Sequence, residues 1–207
     1  MTSGINLYLQ LYFTLVTTKV KRGRPRNATT DLAILDAAVS LMAKMGYRGM
    51  TVGAVAAAAG VTEPTVYLRH ATKHDLAVAA ISRLPMLTHP PDTGDTKADL
   101  TSLLNEFVAV GETIGLAVVG VVLVEESEHP ELLGRWRHTV GAAGLRAVGH
   151  IVQRGQQRGE VRADVKASVV ADLILGAYLA RYTHHGQPDG AWIGDIINTV
   201  WAGLTAH

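Results

Sequence analysis

Apolar residues recur along this chain at steps of three and four, and glycines or prolines close several of the runs. That spacing puts side chains on one face of an α-helix and leaves a strand with no buried side. Ile34, Ala38, Leu41, Met42 and Met45 form the first such series. Thr29 or Thr30 can cap it, Asp31 sits in its first turn, and Gly46 stops it. Thr51 opens a short second helix through Ala58, ended by Gly60. Thr62 caps a third, in which Pro64 is tolerated because first-turn N–H groups lack intrahelical partners. A fourth runs from Lys73 to about Leu87 and ends near Pro90–Pro91. Leu100, Leu103, Leu104, Phe107, Val108 and Ile114 mark a fifth. Residues 113–124 (TIGLAVVGVVLV) are apolar all round and rich in Val, which favours strands. With no second strand signal to pair with, the segment reads as a buried helix. Pro130 opens a long helix with Trp136, Val140, Ala143, Ala147, His150 and Ile151 on its inward face, broken at residues 159–166 (GEVRADVK). Helices over 169–182 and 191–204 complete an all-α chain of about nine helices.

Charge divides this helical string. Residues 19–87 carry ten basic side chains against four acidic, a surplus of six positive charges. Residues 88–207 carry nine basic against fourteen acidic, a deficit of five. A basic front and an acidic back fit a chain whose front meets a polyanion. The segment 89–95 (HPPDTGD) is the expected boundary, giving a basic region 19–87 and a second region 88–207. At 48% hydrophobic and 18% charged residues, the chain is too apolar to be disordered. It has no Cys, which excludes a disulfide scaffold, a thiolate nucleophile and Cys-ligated metal, and fits a reducing, cytoplasmic setting.

Residues 1–18 hold no charge, and Leu7, Leu9, Leu11, Phe13 and Leu15 alternate with polar or aromatic neighbours. Any order there would favour a strand without a partner. The segment therefore reads as an extension outside the fold or a start codon assigned too early. It lacks a basic n-region, and its Asn, Gln and Thr suit neither a signal peptide nor a membrane span. Residues 19–27 (KVKRGRPRN) form a basic arm without periodicity.

Within 52–71, Ala56, Gly60 and Val66 are spaced as a helix-turn-helix requires. A small residue lets the second helix approach, a glycine makes the tight turn, and Val66 anchors the recognition helix. Here the sequence resembles the tetracycline-repressor (TetR) family of bacterial regulators. The resemblance rests on residues 22–76 (RGRPRNATTDLAILDAAVSLMAKMGYRGMTVGAVAAAAGVTEPTVYLRHATKHDL) and, more weakly, on 158–204. It implies an N-terminal three-helix DNA-binding domain followed by a helical ligand-binding and dimerisation domain. It also implies a homodimer whose recognition helices enter successive major grooves of a palindromic operator, about 34–36 Å apart. On that resemblance Thr62, Glu63 and Pro64 open the recognition helix nearest the base edges. Thr65, Tyr67, Lys73, Arg48 and Thr51 fall at phosphate-contacting positions, and Arg69 fits a phosphate or base contact. Arg22, Arg24 and Arg26 of the arm would follow a minor groove or the backbone. Two departures stand out: His70 replaces the usual Phe or Trp beneath the recognition helix, and Pro64 replaces a small residue.

In the second region the resemblance implies an effector site and a dimer seam. Phe107, Trp136 and His150 are the pocket candidates, being bulky on faces otherwise small and apolar; they could equally fill the core. Leu175, Tyr178, Leu179, Trp192, Ile196, Ile197, Val200 and Leu204 form the candidate seam, with burial inside one protomer as the other reading. Glu125, Glu126 and Glu128 could answer a cationic ligand or form a solvated face. The nine His show no metal-ligand spacing, and no nucleophile elbow, Walker loop or dinucleotide fingerprint is present. No metal or cofactor is therefore expected. The expected function is a ligand-responsive regulator, a repressor, whose partners are operator DNA, a small-molecule effector and itself, with no membrane. The competing readings are a constitutive DNA-binding architectural protein and a small helical enzyme sharing the N-terminal fold.

Overall fold

A computed structural model describes residues 28–84, 90–114 and 116–205. The extension 1–18 and the arm residues Arg22, Arg24 and Arg26 lie outside the described residues. Helix α1 spans Ala28–Gly49, and Gly46 takes φ 75° and ψ 171°, breaking it at the glycine marked by the sequence before a last turn follows. Next come α2 (Val52–Ala58), α3 (Glu63–Tyr67) and α4 (Lys73–Ser82). Thr72 and Asp75 close a reciprocal capping box at the start of α4. This helix ends five residues short of the expected Leu87. Pro85 is the reason: a proline pushes the residue before it, Leu84, away from helical geometry, so the stop comes before Pro90–Pro91.

The remaining elements are α5 (Thr96–Ile114), α6 (Ala117–Val124), α7 (Pro130–Trp136), α8 (Ala142–Gln157), α9 (Ala167–His185) and α10 (Gly190–Leu204). All described secondary structure is helical. The long helix expected from Pro130 is interrupted by a π-helical turn at Arg137–Gly141, which joins α7 to α8. The Val-rich segment is helical despite its strand propensity, as context required. It is not buried all round, however. Val118 and Val122 are buried, whereas Val124 is 76% exposed, because α6 rests on α1 by one side only.

Two hydrophobic cores form, and they divide differently from the charge. The first gathers α1–α4 around Ile34, Met42, Val55, Val66, Leu76 and Ile81, and it also takes Val118 and Val122 of α6 and Leu132 and Leu133 of α7. The second gathers α5, α8, α9 and α10 around Leu103, Leu104, Ile151, Ile174, Tyr178 and Ile197. Helices α6 and α7 follow the linker in sequence yet pack on the front helices. The continuous rod α7–π-turn–α8 thus has one end in each core. A π-turn within a helix often marks a functional site.

Polar groups lock the base of the second core. Helix α8 approaches the start of α5 at Gly155, where a methyl group would collide with Thr96 and Val161. Glu160 accepts from the Thr96 backbone N–H (2.9 Å) at the open end of α5, and Arg158 bonds both Glu160 and the Thr96 hydroxyl. Arg158 first, then Thr96, hold the Glu160 carboxyl down at about 2 from an ordinary 4.5. A depressed carboxylate stabilises the fold fully above its unfolded value and loses that contribution as pH falls through its folded value. Thermal stability should therefore decline between pH 4.5 and about 2. Glu160→Gln should be less stable at neutral pH and should flatten that part of a melting-temperature profile.

Candidate nucleic-acid interface

The turn between α2 and α3 is built from backbone bonds around one glycine. Gly60 takes φ 68°; the Val61 N–H reaches the Ala56 carbonyl (2.9 Å) and the Gly60 N–H the Ala57 carbonyl (3.2 Å). This is a Schellman closure, and its left-handed residue is strained for any side chain with a Cβ. Thr51 caps α2, its hydroxyl accepting from Ala54 N–H at 3.1 Å. Val66 is wholly buried under α3, a contribution of roughly 1.5–3 kcal/mol that seats the helix.

What remains outside is a coherent face. Thr62, Glu63, Pro64 and Tyr67 are exposed, and Thr65 is half-buried with its hydroxyl 2.9 Å from that of Thr62. Leu68, just past the helix end, is 86% exposed. Sequence reasoning passed over Leu68; the available signal was a large apolar residue two positions after the buried anchor Val66, a step that turns it to the opposite side.

Three basic residues expected at phosphate-contacting positions also make contacts within the chain. Arg69 is paired with Asp31 of α1 and donates to the Thr65 carbonyl (2.9 Å), so it clamps α3 to α1. Arg48 reaches Glu125 (3.2 Å) and Glu128 (2.7 Å) at the corner between α6 and α7. Its guanidinium is held above its usual range by Glu128 first and Glu125 second. Lys73 lies 4.6 Å over the Tyr47 ring and donates to the Arg48 carbonyl at 3.1 Å. Burial lowers the Lys73 ammonium, and Glu125 opposes that shift. These three cations hold the front helices together and to the α6–α7 corner. His70 is half-buried in the place of the larger aromatic, and burial lowers its imidazole, with Asp31 and Asp75 opposing.

The sensor candidates are not brought together. Phe107 belongs to the second core, edge-on to Tyr178 with ring centroids 5.4 Å apart, while Trp136 packs on the first. His150 is exposed on α8, because the buried arc of that helix is centred on Gly144, Val148, Ile151 and Gly155 and leaves position 150 outside it. Among the seam candidates, Tyr178, Ile197, Val200 and Leu204 are buried within the protomer. Leu175, Trp192 and Ile196 are half-buried, and Leu179 is exposed. The outward face of α9 instead carries Val169 and Leu173, 50% and 51% exposed, in line with Gly176 and Ala180. None of the described helices is long and apolar enough to cross a membrane.

Comparison with known proteins matches this architecture at both ends. The family profile for bacterial regulatory proteins of the tetR family covers residues 34–80. The profile for the tetracyclin repressor-like C-terminal domain covers residues 90–200, more than half the chain. The uncharacterized HTH-type transcriptional regulator Mb1581 of Mycobacterium bovis is 34% identical over 103 residues, 49% of this chain and 50% of that protein. The chain thus spans about half the length of the curated relatives it matches first. Among solved structures, the TetR family transcription regulator SCO0332 superposes with TM-score 0.61 at 24% identity, over 86% of this chain and 99% of that one. FadR of Bacillus subtilis, solved with stearoyl-CoA, gives TM-score 0.66 at 19% identity, over 84% of this chain and 98% of that one. Fold, turn and both profiles converge: the chain belongs to the TetR family of bacterial transcriptional regulators.

Proposed function

We propose that this regulator binds a palindromic operator as a homodimer and represses transcription until a small-molecule effector releases it. The observation that carries the reading is the exposed face of α3: Thr62, Glu63, Pro64, Tyr67 and Leu68 stand outward on a helix pinned from behind by Val66 and Arg69. Such a helix presents its first residues to base edges in a major groove. Leu68 offers an apolar contact of the kind that reads a thymine methyl. Phosphate binding falls to the arm, because Arg48, Arg69 and Lys73 are already engaged.

The route from effector to DNA follows the packing. Helices α6 and α7 belong to the same core as the reading head, and the π-turn connects α7 to α8 of the second core. An effector that prefers one arrangement of the second core shifts α7, and with it the separation of the two heads. Moving such an equilibrium fully takes about 5 kcal/mol of differential affinity. Long-chain acyl-CoAs make a sensible first effector panel, since a protein of similar fold was solved with stearoyl-CoA.

Selection of genomic fragments at about 0.15 M salt against shuffled competitor tests the reading. One short palindrome supports it, and salt-sensitive binding without a preferred site overturns it. On a selected site, Leu68→Ala should weaken binding about fivefold, near 1 kcal/mol, and leave random-sequence affinity unchanged.

A further inference from the structure

Tertiary contact brings two histidines and a carboxylate together where the reading head meets the α6–α7 corner. His74 lies on the first turn of α4, His129 directly before α7, and Glu131 on the first turn of α7. One ligand atom from each falls within 4.8 Å of the other two. His74 Nε2 is 3.1 Å from Glu131 Oε1, and His129 Nδ1 is 3.9 Å from the same oxygen. The imidazole planes are tilted 30° with centroids 5.7 Å apart, and Tyr47 packs edge-on against His129 at 4.7 Å.

We propose that His74, His129 and Glu131 form a binding site for a divalent transition-metal cation of the zinc class, bridging α4 and α7. Zinc bonds of about 2.0–2.2 Å to nitrogen and oxygen place tetrahedral ligand atoms roughly 3.3–3.6 Å apart. The separations of 3.1 and 3.9 Å straddle that range, so small rotamer adjustments bring each histidine to ligand distance of Glu131. Two imidazoles with one carboxylate suit zinc, cobalt or nickel better than magnesium or calcium, which take mostly oxygen. All three side chains are partly exposed, with solvent access for the cation and for water as a fourth ligand.

The neighbouring charges select this triad over the adjoining one. Glu125, Glu128 and His129 also cluster, but both of those carboxylates are already paired with the Arg48 guanidinium. The His74 Nδ1 is buried without a hydrogen-bond partner among the described residues, which leaves Nε2, toward Glu131, as the ring's accessible nitrogen. A cation here would tie the reading head to the helix that leads into the second core.

The test uses tag-free, metal-stripped full chain titrated with Co²⁺ alone, followed by visible d–d absorption, with Zn²⁺ competition. Intense bands of a four-coordinate site are expected, saturating at one equivalent and displaced by Zn²⁺. His129→Ala and the near-isosteric Glu131→Gln should each weaken binding at least about tenfold. The His184→Ala/His185→Ala variant, which removes the adjacent surface pair, should bind as the parent does. Zn²⁺ should also raise the melting temperature of the parent chain but not of Glu131→Gln. Absence of the bands, or bands that persist unchanged in both ligand variants, overturns the proposal and leaves the triad an ion-pair cluster only.

Discussion

Replacing Arg22, Arg24 and Arg26 together with alanine lowers the affinity for operator and random DNA alike, by on the order of a hundredfold near 0.15 M salt. Most of the other cations in the basic region are already engaged. Of the ten basic residues in 19–87, five lie in the arm between Lys19 and Arg26. Among the other five, Arg48 is held by Glu125 and Glu128, Arg69 by Asp31, and Lys73 by the Arg48 carbonyl and the Tyr47 ring. Arg83 stands 4.0 Å from Asp36. Each lost phosphate contact removes about 0.9 from the slope of log affinity against log salt, so the triple variant should lose nearly three. Lys73→Ala should change that slope by less than one contact. Fluorescence anisotropy across a salt series reads both. An arm variant with an unchanged slope would place the phosphate contacts elsewhere.

Val169→Glu with Leu173→Glu should turn the proposed homodimer into monomers and reduce affinity for its proposed palindrome by about 10²–10⁴, while half-site affinity holds. Both side chains are half exposed on the outward face of α9, and Gly176 and Ala180 continue the line with little bulk. A partner helix can approach closely along such a face. Four carboxylates facing one another across a two-fold axis would oppose it strongly. The large loss follows because two linked heads bind with a high effective concentration, which separated heads lack. Exposed substitutions of this kind change protomer stability by within about 0.5 kcal/mol. Light scattering and operator titration therefore separate the seam from the fold. A dimer that survives both glutamates moves the seam to another face.

Much of the architecture was legible because it is written locally. Gly46 and Gly60 mark breaks that only a left-handed residue makes easily, and both take positive φ. Val66 reads as an anchor because its neighbours are polar, and it is buried. The stop of α4 was legible too, at Pro85, but the more conspicuous Pro90–Pro91 drew the boundary further on. The π-turn at Arg137–Gly141 carries no comparable mark, and the apolar spacing did not show that His150 falls just outside the buried arc of the helix that follows.

The helices and the helix-turn-helix follow from sequence alone, since each depends on residues a few positions apart; of the expected caps, Thr51 bonds as one, while Thr29 and Thr30 lie inside α1 and Thr62 makes no side-chain cap bond. Which charges are free does not. Whether Arg48 meets phosphate or Glu125 depends on two segments far apart in the chain, as does the meeting of His74 with His129 and Glu131. The same holds for α6 and α7, whose apolar faces could have packed on either core. Periodicity says that a face is buried but not against what, and only the tertiary packing chose the partner.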